Sequence, residues 1–276
     1  MIFKDKTVII TGASEGIGAA TALLFAEAGA NLMLVARSRK NLEAIAEELR
    51  DKTRVEIFPM DVTDADACVD VFKKAAFEFG HVDILVNNAG FHARGPVRDV
   101  AATDLGRIID VNLKAPIMLT RIALPYLEEA GEGVIVNVAS LHGKLASAGA
   151  STYSASKFGL RIFTLALNQE LEGSAIKAAV VSPGPVDTGF IMQHLDEVDD
   201  IVFSQPMSTA EEVAQAILDL CGNQVREQDM PVSSGILATA AYLMPWIARF
   251  IRPTLERKGA RVKARLKAEH KRAPAE

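Results

Sequence analysis

The first eighteen residues constrain this chain more than any other stretch. An apolar, β-branched run at 7–10 passes directly into Thr11-Gly12-Ala13-Ser14-Glu15-Gly16-Ile17-Gly18, and an alanine-rich helical stretch at 19–28 follows. Glycines at a strand-to-helix junction let the backbone approach a phosphate closely, and the helix start aims unpaired N–H groups and a partial positive charge at it. The segment reads either as a site for a phosphate-bearing cofactor, held by Gly12, Ser14, Glu15, Gly16, Ile17 and Gly18, or as a tight turn with no ligand. Its place after a strand and before a helix weighs toward the cofactor.

The same rhythm continues. Short runs at 32–35, 55–58, 84–86, 134–138 and 179–181 read as buried strands, and helical periodicity fills 42–49, 65–79, 105–127, 154–171 and 210–220, with Thr63, Thr103 and Thr209 as caps. Alternation of this kind implies parallel βαβ units, and right-handed crossovers stack helices on both faces of one doubly wound, Rossmann-type sheet. At 276 residues and 49% hydrophobic the chain can bury a large core as one α/β domain, 1–230. The rhythm stops near Met230, leaving 231–276 as a helical C-terminal extension packing on the domain. Residues 236–248 are apolar but hold Pro245, with Arg249 and Arg252 just beyond, too short and interrupted to span a bilayer. The start, broken at Gly12, lacks the apolar stretch of a secretory signal. Cys68 and Cys221 stand far apart without a CxxC or His pattern, so neither a disulfide framework nor a metal site is expected, and a cytoplasmic location fits.

The formal net charge of −5 hides an asymmetry: from Arg249 to Arg272 ten Lys or Arg face only Glu256 and Glu269, leaving an acidic body and a basic tail. Nucleic-acid binding would want a basic folded face with interleaved aromatics, which this body lacks. In the tail, Leu255, Val262 and Leu266 share one helical face, with Arg257, Lys258, Arg261, Lys263, Arg265 and Lys267 around them. Preceded by Leu243, Trp246, Ile247, Phe250 and Ile251, this pattern suits peripheral contact with an anionic membrane. The competing reading, that 236–252 packs over a cleft or a neighbouring subunit and the end beyond Ala268 is disordered, is preferred.

Beyond the second strand come Ala36-Arg37-Ser38-Arg39, where an NAD site places a carboxylate for the ribose and an NADP site a basic residue. NADP(H) is therefore expected in preference to NAD(H), with Arg37, Ser38 and Arg39 on the 2′-phosphate. The alternative is that the arginines solvate a helix start. Asp61-Val62 and Asn87-Asn88-Ala89-Gly90 follow the third and fourth strands, at the sheet edge where ligands bind. Asp61 can accept from an adenine amine or cap a helix. Ser140 follows the fifth strand, and Tyr153 and Lys157 stand one helical turn apart, so the ammonium can favour phenolate and lower the phenol pKa. Alone, that pair is equally a surface aromatic beside a solvated charge.

The ordered set TGASEGIG at 11–18, Asp61-Val62, NNAG at 87–90, Asn112, Ser140, Tyr153-x-x-x-Lys157 and Pro183-Gly184-Pro185-Val186-Asp187-Thr188 closely resembles the short-chain dehydrogenase/reductase family, over roughly residues 5–222. The resemblance implies a seven-stranded parallel sheet, a homo-oligomer and a catalytic tetrad. In that scheme Ser140 hydrogen-bonds the substrate oxygen, Tyr153 transfers the proton, Lys157 holds the nicotinamide ribose and tunes Tyr153, and Asn112 supports a water in a proton relay. Asn88, Ala89, Gly90, Pro183, Gly184, Val186 and Thr188 would line the nicotinamide side. No metal is required. The chain departs from the pattern at Glu15, where NADP-preferring members often carry a basic residue, and at Ser182, where Asn is common. The usual short C-terminal strand with its glycine pair is also read as absent, which puts the common tetramer arrangement in doubt and leaves dimer or tetramer open.

By the same resemblance, 189–209 covers the substrate. Its apolar groups suit a small lipophilic carbonyl or alcohol, and the acidic run Asp196–Asp200 argues against a strongly anionic partner or reads as a solvated loop. The expected activity is oxidoreduction of CH–OH donors with NAD(P) as acceptor. A regulator or scaffold that binds the cofactor without catalysis is the other class, disfavoured by the complete Ser140, Tyr153 and Lys157. His92 and His142 fall near the expected site, but the scheme gives them no role.

Overall fold

The structure, a computed structural model, describes residues 3–270, and of residues 247, 248, 269 and 270 it describes the backbone alone. Lys271, Arg272 and the side chain of Ile247, all part of the basic-tail reading, lie outside the described residues.

Seven strands, β1 (Thr7–Thr11), β2 (Asn31–Ala36), β3 (Val55–Pro59), β4 (Ile84–Asn87), β5 (Gly133–Val138), β6 (Ile176–Pro183) and β7 (Glu227–Met230), form one sheet in the order β3-β2-β1-β4-β5-β6-β7. All pairings are parallel. Strand order reverses between β1 and β4, and the crevice at their carboxyl ends is where such sheets take ligands. Period-two alternation fills both faces. Val8, Ile10, Leu32 and Leu34 face one layer with helices α1 (Gly16–Glu27), α2 (Arg39–Leu49) and α8 (Ala210–Gly222); Ile9, Met33, Val35 and Leu85 face the other with α3 (Ala65–Phe79) and α5 (Ala115–Glu129).

The seventh strand corrects the expectation that the C-terminal strand is missing. Its sequence, Glu227-Gln228-Asp229-Met230, carries no β-branched residue, because this edge is held by charge. Glu227 takes a bidentate hydrogen bond from Arg161 (2.6 and 3.1 Å), and Lys144 bridges Glu227 and Asp229 at 2.7 Å each.

Helix starts also differ in detail. Asp64, not Thr63, caps α3, accepting from the N–H groups of Asp66 and Ala67, while Thr103 lies inside α4 (Ala102–Ile109), which starts without a side-chain cap. Thr209 caps α8 as expected, in a reciprocal box with Glu212. The single helix expected over 105–127 is α4 and α5 joined by one π-helical turn, Asp110–Lys114, which carries the fully buried Asn112. Such turns recur at functional sites.

The chain then forms α6 (Ser151–Glu170), the short α7 (Gly189–Met192), a 3₁₀ turn at Asp200–Ser204, α9 (Val232–Leu243) and the long α10 (Pro245–His270). Helix α10 lies on the 200–204 turn, so close at Gly259 that a Cβ there would sit 1.7 Å from the Asp200 carbonyl. Val262 and Leu266 pack onto Leu195, Val198 and Phe203. Lys263 pairs with Asp200 at 3.1 Å, and Lys267 with Asp196. The apolar stripe of the tail therefore faces the protein, not a membrane, and two of the acids expected to form a lip are engaged by the tail's own cations.

Candidate active site

One cavity of about 1480 Å³ runs along the carboxyl ends of the strands. All the residues expected at the cofactor and catalytic sites line it except Gly18, Arg39 and Asn112. Gly18 instead sets how closely α1 meets the turn: a Cβ there would lie 2.0 Å from the Gly12 carbonyl oxygen. Arg39, the first residue of α2, is exposed outside the cavity, so only Arg37 and Ser38 remain at the end of β2, and Ser38 is spent as the helix cap on Asn41 (3.2 Å).

At the glycine end, Gly12 and Gly16 take left-handed φ values of +67° and +53°, which side chains resist. The turn is bolted to the Asn87–Gly90 loop. Thr11 Oγ1 accepts from the N–H groups of Asn88 (3.0 Å) and Ala89 (3.1 Å), and Asn88 Nδ2 donates to the carbonyls of Thr11 and Gly12 at 3.0 and 3.1 Å. Glu15 precedes α1 without a side-chain cap, leaving the first N–H groups of the helix directed at the cavity. Asp61 is not a helix cap. It forms a turn with Thr63 (3.0 Å to N–H, 2.8 Å to the hydroxyl) and faces Arg107 at 3.5 Å. Burial opposes its ionisation, but these hydrogen bonds, with Arg107 and Arg37 nearby, hold its pKa below the usual carboxylate value.

Asn112 works behind the wall. Its Oδ1 accepts from Phe91 N–H and its Nδ2 donates to Phe91 O, both at 2.8 Å, and it also donates to Ser156 at 3.2 Å. It pins the loop after Gly90 rather than facing the cavity.

Helix α6 delivers Tyr153 and Lys157, both buried. Lys157 Nζ donates to Val138 O at 2.8 Å and lies 5.9 Å from the centre of the Tyr153 ring. Burial brings this lysine down to about 8. The expected lowering of the Tyr153 pKa is not met. Burial pushes the phenol up to about 12, and the smaller opposing effects come from the Ser140 hydroxyl and the Arg94 cation, not from Lys157. Ser140 Oγ accepts from His142 N–H (3.2 Å) and donates a long 3.4 Å bond to Pro183 O. Across the cavity, a Cβ on Gly16 would come 3.2 Å from Thr188, so the Pro-Gly loop closes over the glycine turn.

Three side chains beside the phenol had no assigned role in the sequence. The His92 ring stacks on Tyr153 (4.3 Å, 10° between planes), and His142 meets it edge-on at 5.6 Å. Burial brings His92 down to about 3, with Arg94 adding to it, and His142 down to about 4 for the same two reasons. Both are neutral at ordinary pH. Arg94 donates to Phe190 O at 2.9 Å and lies 5.2 Å over its ring, tying the loop after Gly90 to α7. Charge spacing would not have revealed Arg94, because its partner is a backbone carbonyl 96 residues away.

Comparison with known proteins decides the lineage: the model of the short chain dehydrogenase family matches residues 6–199. The chain belongs to that family. A 3-oxoacyl-(acyl-carrier-protein) reductase of Thermotoga maritima is 34% identical over 229 residues, covering 81% of this chain and 93% of its own length. An uncharacterized oxidoreductase of Staphylococcus aureus strain USA300 is 32% identical over 216 residues, 78% of this chain and 92% of the relative. This short-chain dehydrogenase is thus an oxidoreductase of a nicotinamide-dependent family. Its α8, α9 and α10 lie beyond the region the family model matches.

Proposed function

We propose that the protein is an NADP(H)-dependent carbonyl reductase that converts a lipophilic ketone or aldehyde to the alcohol, or runs the reverse, with Tyr153 as proton donor and acceptor. The observation carrying this reading is that Tyr153, Ser140 and Lys157 line the same cavity that the glycine turn opens.

The residues present fit a dinucleotide. A Cβ on Gly12 would lie 2.9 Å from the Ala89 Cα, so the turn's close approach needs glycine there. The start of α1 keeps N–H groups free for pyrophosphate, and among the described residues Arg37 has no carboxylate within ion-pair distance, which leaves it for a 2′-phosphate. Asp61 and Val62 would hold the adenine. Asn88, Ala89, Gly90, Pro183, Gly184, Val186 and Thr188 would border the nicotinamide, which when bound supplies the hydride equivalent.

The chain's own groups then manage the proton and the charge. Burial favours the protonated phenol of Tyr153, the form a carbonyl reduction needs, and it can pass that proton to the substrate oxygen. Ser140 can turn its hydroxyl from the distant Pro183 carbonyl to the same oxygen, giving a second donor where negative charge develops. Lys157 spends one N–H on Val138 O and has two left for ribose hydroxyls. The neutral rings of His92 and His142 wall off the phenol, and Asn112 positions the loop that carries His92. Apolar groups of α7, Phe190 and Ile191, and of α9, Leu237 and Ala241, line the substrate end and suit a lipophilic molecule.

The test is NADPH oxidation over a panel of ketones and aldehydes, with Tyr153→Phe beside the wild type. Turnover should fall ~10²–10⁴-fold while NADPH affinity stays within about twofold. Near-normal turnover in the variant would overturn the mechanism.

A further inference from the structure

With its apolar stripe turned inward, helix α10 presents a different face outward. At about 100° per residue, Trp246, Phe250, Pro253, Arg257 and Arg261 fall in one sector of the helix, and Trp246 and Phe250 are 65% and 84% exposed. On α9, Ile236 and Leu243, seven residues apart and so on one side of that helix, stand 67% and 69% exposed, while Tyr242 turns to Phe158 and the cavity. Scattered exposed apolar side chains are ordinary, but large ones gathered at one helix elbow mark an interaction surface.

Two observations indicate what covers it. About two to three turns beyond Phe250 on the same helix, Arg257, Lys258 and Arg261 make no ion pair among the described residues, while neighbouring acids are already used: Glu256 by Arg252 at 2.7 Å, Asp200 by Lys263 at 3.1 Å. The elbow is also a rim of the cavity, since Leu237, Ala241, Tyr242, Pro245 and Ile251 line it. Exposed aromatic rings followed along the same helix face by unpaired cations match the headgroup zone of a bilayer, where rings sit at the interface and cations meet lipid phosphates. A second copy on this face would have to bring an acid of its own, since Glu256 and Asp200 beside the row are already paired.

We propose that the outward face of α9 and α10 docks peripherally on an anionic phospholipid surface, with the cavity mouth toward the bilayer. No helix among the described residues is long and apolar enough to cross a membrane, so the contact is one of surface only. Docking rests on exposure and charge alone; that lipophilic substrate enters from the bilayer rests additionally on the reductase reading.

Trp246 is the chain's one tryptophan, so its fluorescence reports this face directly. The full chain is mixed with phosphatidylcholine vesicles with or without phosphatidylglycerol, at low and near-physiological salt, and read by sedimentation, by emission maximum and by quenching with acyl-chain-brominated lipid. Anionic vesicles should pellet the protein, blue-shift Trp246 and expose it to quenching, and salt should weaken all three. Arg257→Gln with Arg261→Gln should lower vesicle affinity roughly 30-fold, from about 1 kcal/mol per cation, and Phe250→Ala should weaken it further. Unchanged thermal unfolding would show that the variants fold. No pelleting in any condition would overturn the proposal, as would pelleting with Trp246 unshifted and unquenched. A lipid-independent blue shift that grows with protein concentration, with a dimer in sedimentation equilibrium, would assign the face to a second copy instead. None of these readouts uses turnover, so failure of the reductase reading would leave the result standing.

Discussion

The two ends of the cavity are built on opposite plans. At the cofactor end, backbone meets backbone: Gly12 and Gly16 turn where side chains cannot, Gly18 lets α1 press on the turn, and Thr11 and Asn88 bolt the two loops together within a few residues of β1 and β4. At the substrate end, the wall is made of side chains brought from far along the chain. Arg94 reaches Phe190, Val262 and Leu266 hold Leu195 and Phe203, and Lys263 crosses to Asp200. A fixed cofactor needs a fixed cradle, whereas a substrate end made of helix contacts and ion pairs can open. The contrast is open to direct test.

The largest expected effect sets one substitution at both ends. Gly18→Ala drives a Cβ into the Gly12 carbonyl, 2.0 Å away, and backbone must move. NADPH affinity should fall by at least ~5-fold, the low end of the roughly 1–3 kcal/mol cost of overpacking. Gly259→Ala, with 1.7 Å to the Asp200 carbonyl, should unseat α10 from the 200–204 turn, raising KM about tenfold and quickening proteolysis of the tail, with NADPH affinity unchanged. Titration of NADPH fluorescence against both variants checks the split. If Gly259→Ala weakened NADPH as much as Gly18→Ala does, the ends would be one cooperative unit.

A comparable effect is confined to the cofactor end. Arg37→Ala should cost about 1.5–3 kcal/mol in NADPH affinity, as for a charge-assisted hydrogen bond, and leave NADH binding unchanged. Equal losses for both cofactors would make Arg37 structural.

The pH profile reads the seam between the two ends. Lys157, brought down to about 8 by burial, is a cation below that pH and neutral above it. If the charged form is needed, kcat/KM for carbonyl reduction should drop about tenfold per pH unit above 8. Between pH 5 and 8 it should be flat, because His92 and His142, near 3 and 4, are already neutral there. A limb near 6.5 would put a histidine in the chemistry. The same lysine makes the fold more stable as pH rises from about 8 toward 10.5, the window in which the unfolded chain holds the proton and the folded chain does not.

The difference in plan also explains what the sequence could reveal. Buried parallel strands are continuous β-branched runs, so β1 to β6 were legible to within a few residues, and the glycine turn announces itself because conformation and close approach demand that residue type. The edge strand β7 was not, because Glu227 and Asp229 are stabilised by Arg161 and Lys144 from distant elements rather than by apolar burial. Helical spacing correctly grouped Leu255, Val262 and Leu266, but periodicity says only which residues share a face and not what that face meets. Arg94 and Arg107, and the stacking of His92 on Tyr153, depend on loop paths that no local pattern encodes.

The smallest expected effect tests whether the substrate end is held by charge as well as by packing. Lys263 is 13% exposed and Asp200 45%, and Lys267 is 37% exposed against 91% for Asp196, so both pairs are within reach of salt, the second more than the first. Partly exposed pairs of this kind contribute about 0.2–1 kcal/mol each. Raising ionic strength toward molar screens only part of this, so KM should increase about two- to fivefold for a neutral ketone, which has no charge of its own to screen. Lys263→Met with Lys267→Met should show that raised KM at low salt and little further change as salt is added, with NADPH affinity the same throughout. A wild-type KM insensitive to salt would leave Val262, Leu266, the Gly259 contact and the Lys263 hydrogen bond to Val198 O (2.6 Å) to seat α10 on the 195–204 segment, and the substrate end would then be held by packing and hydrogen bonds, as the cofactor end is.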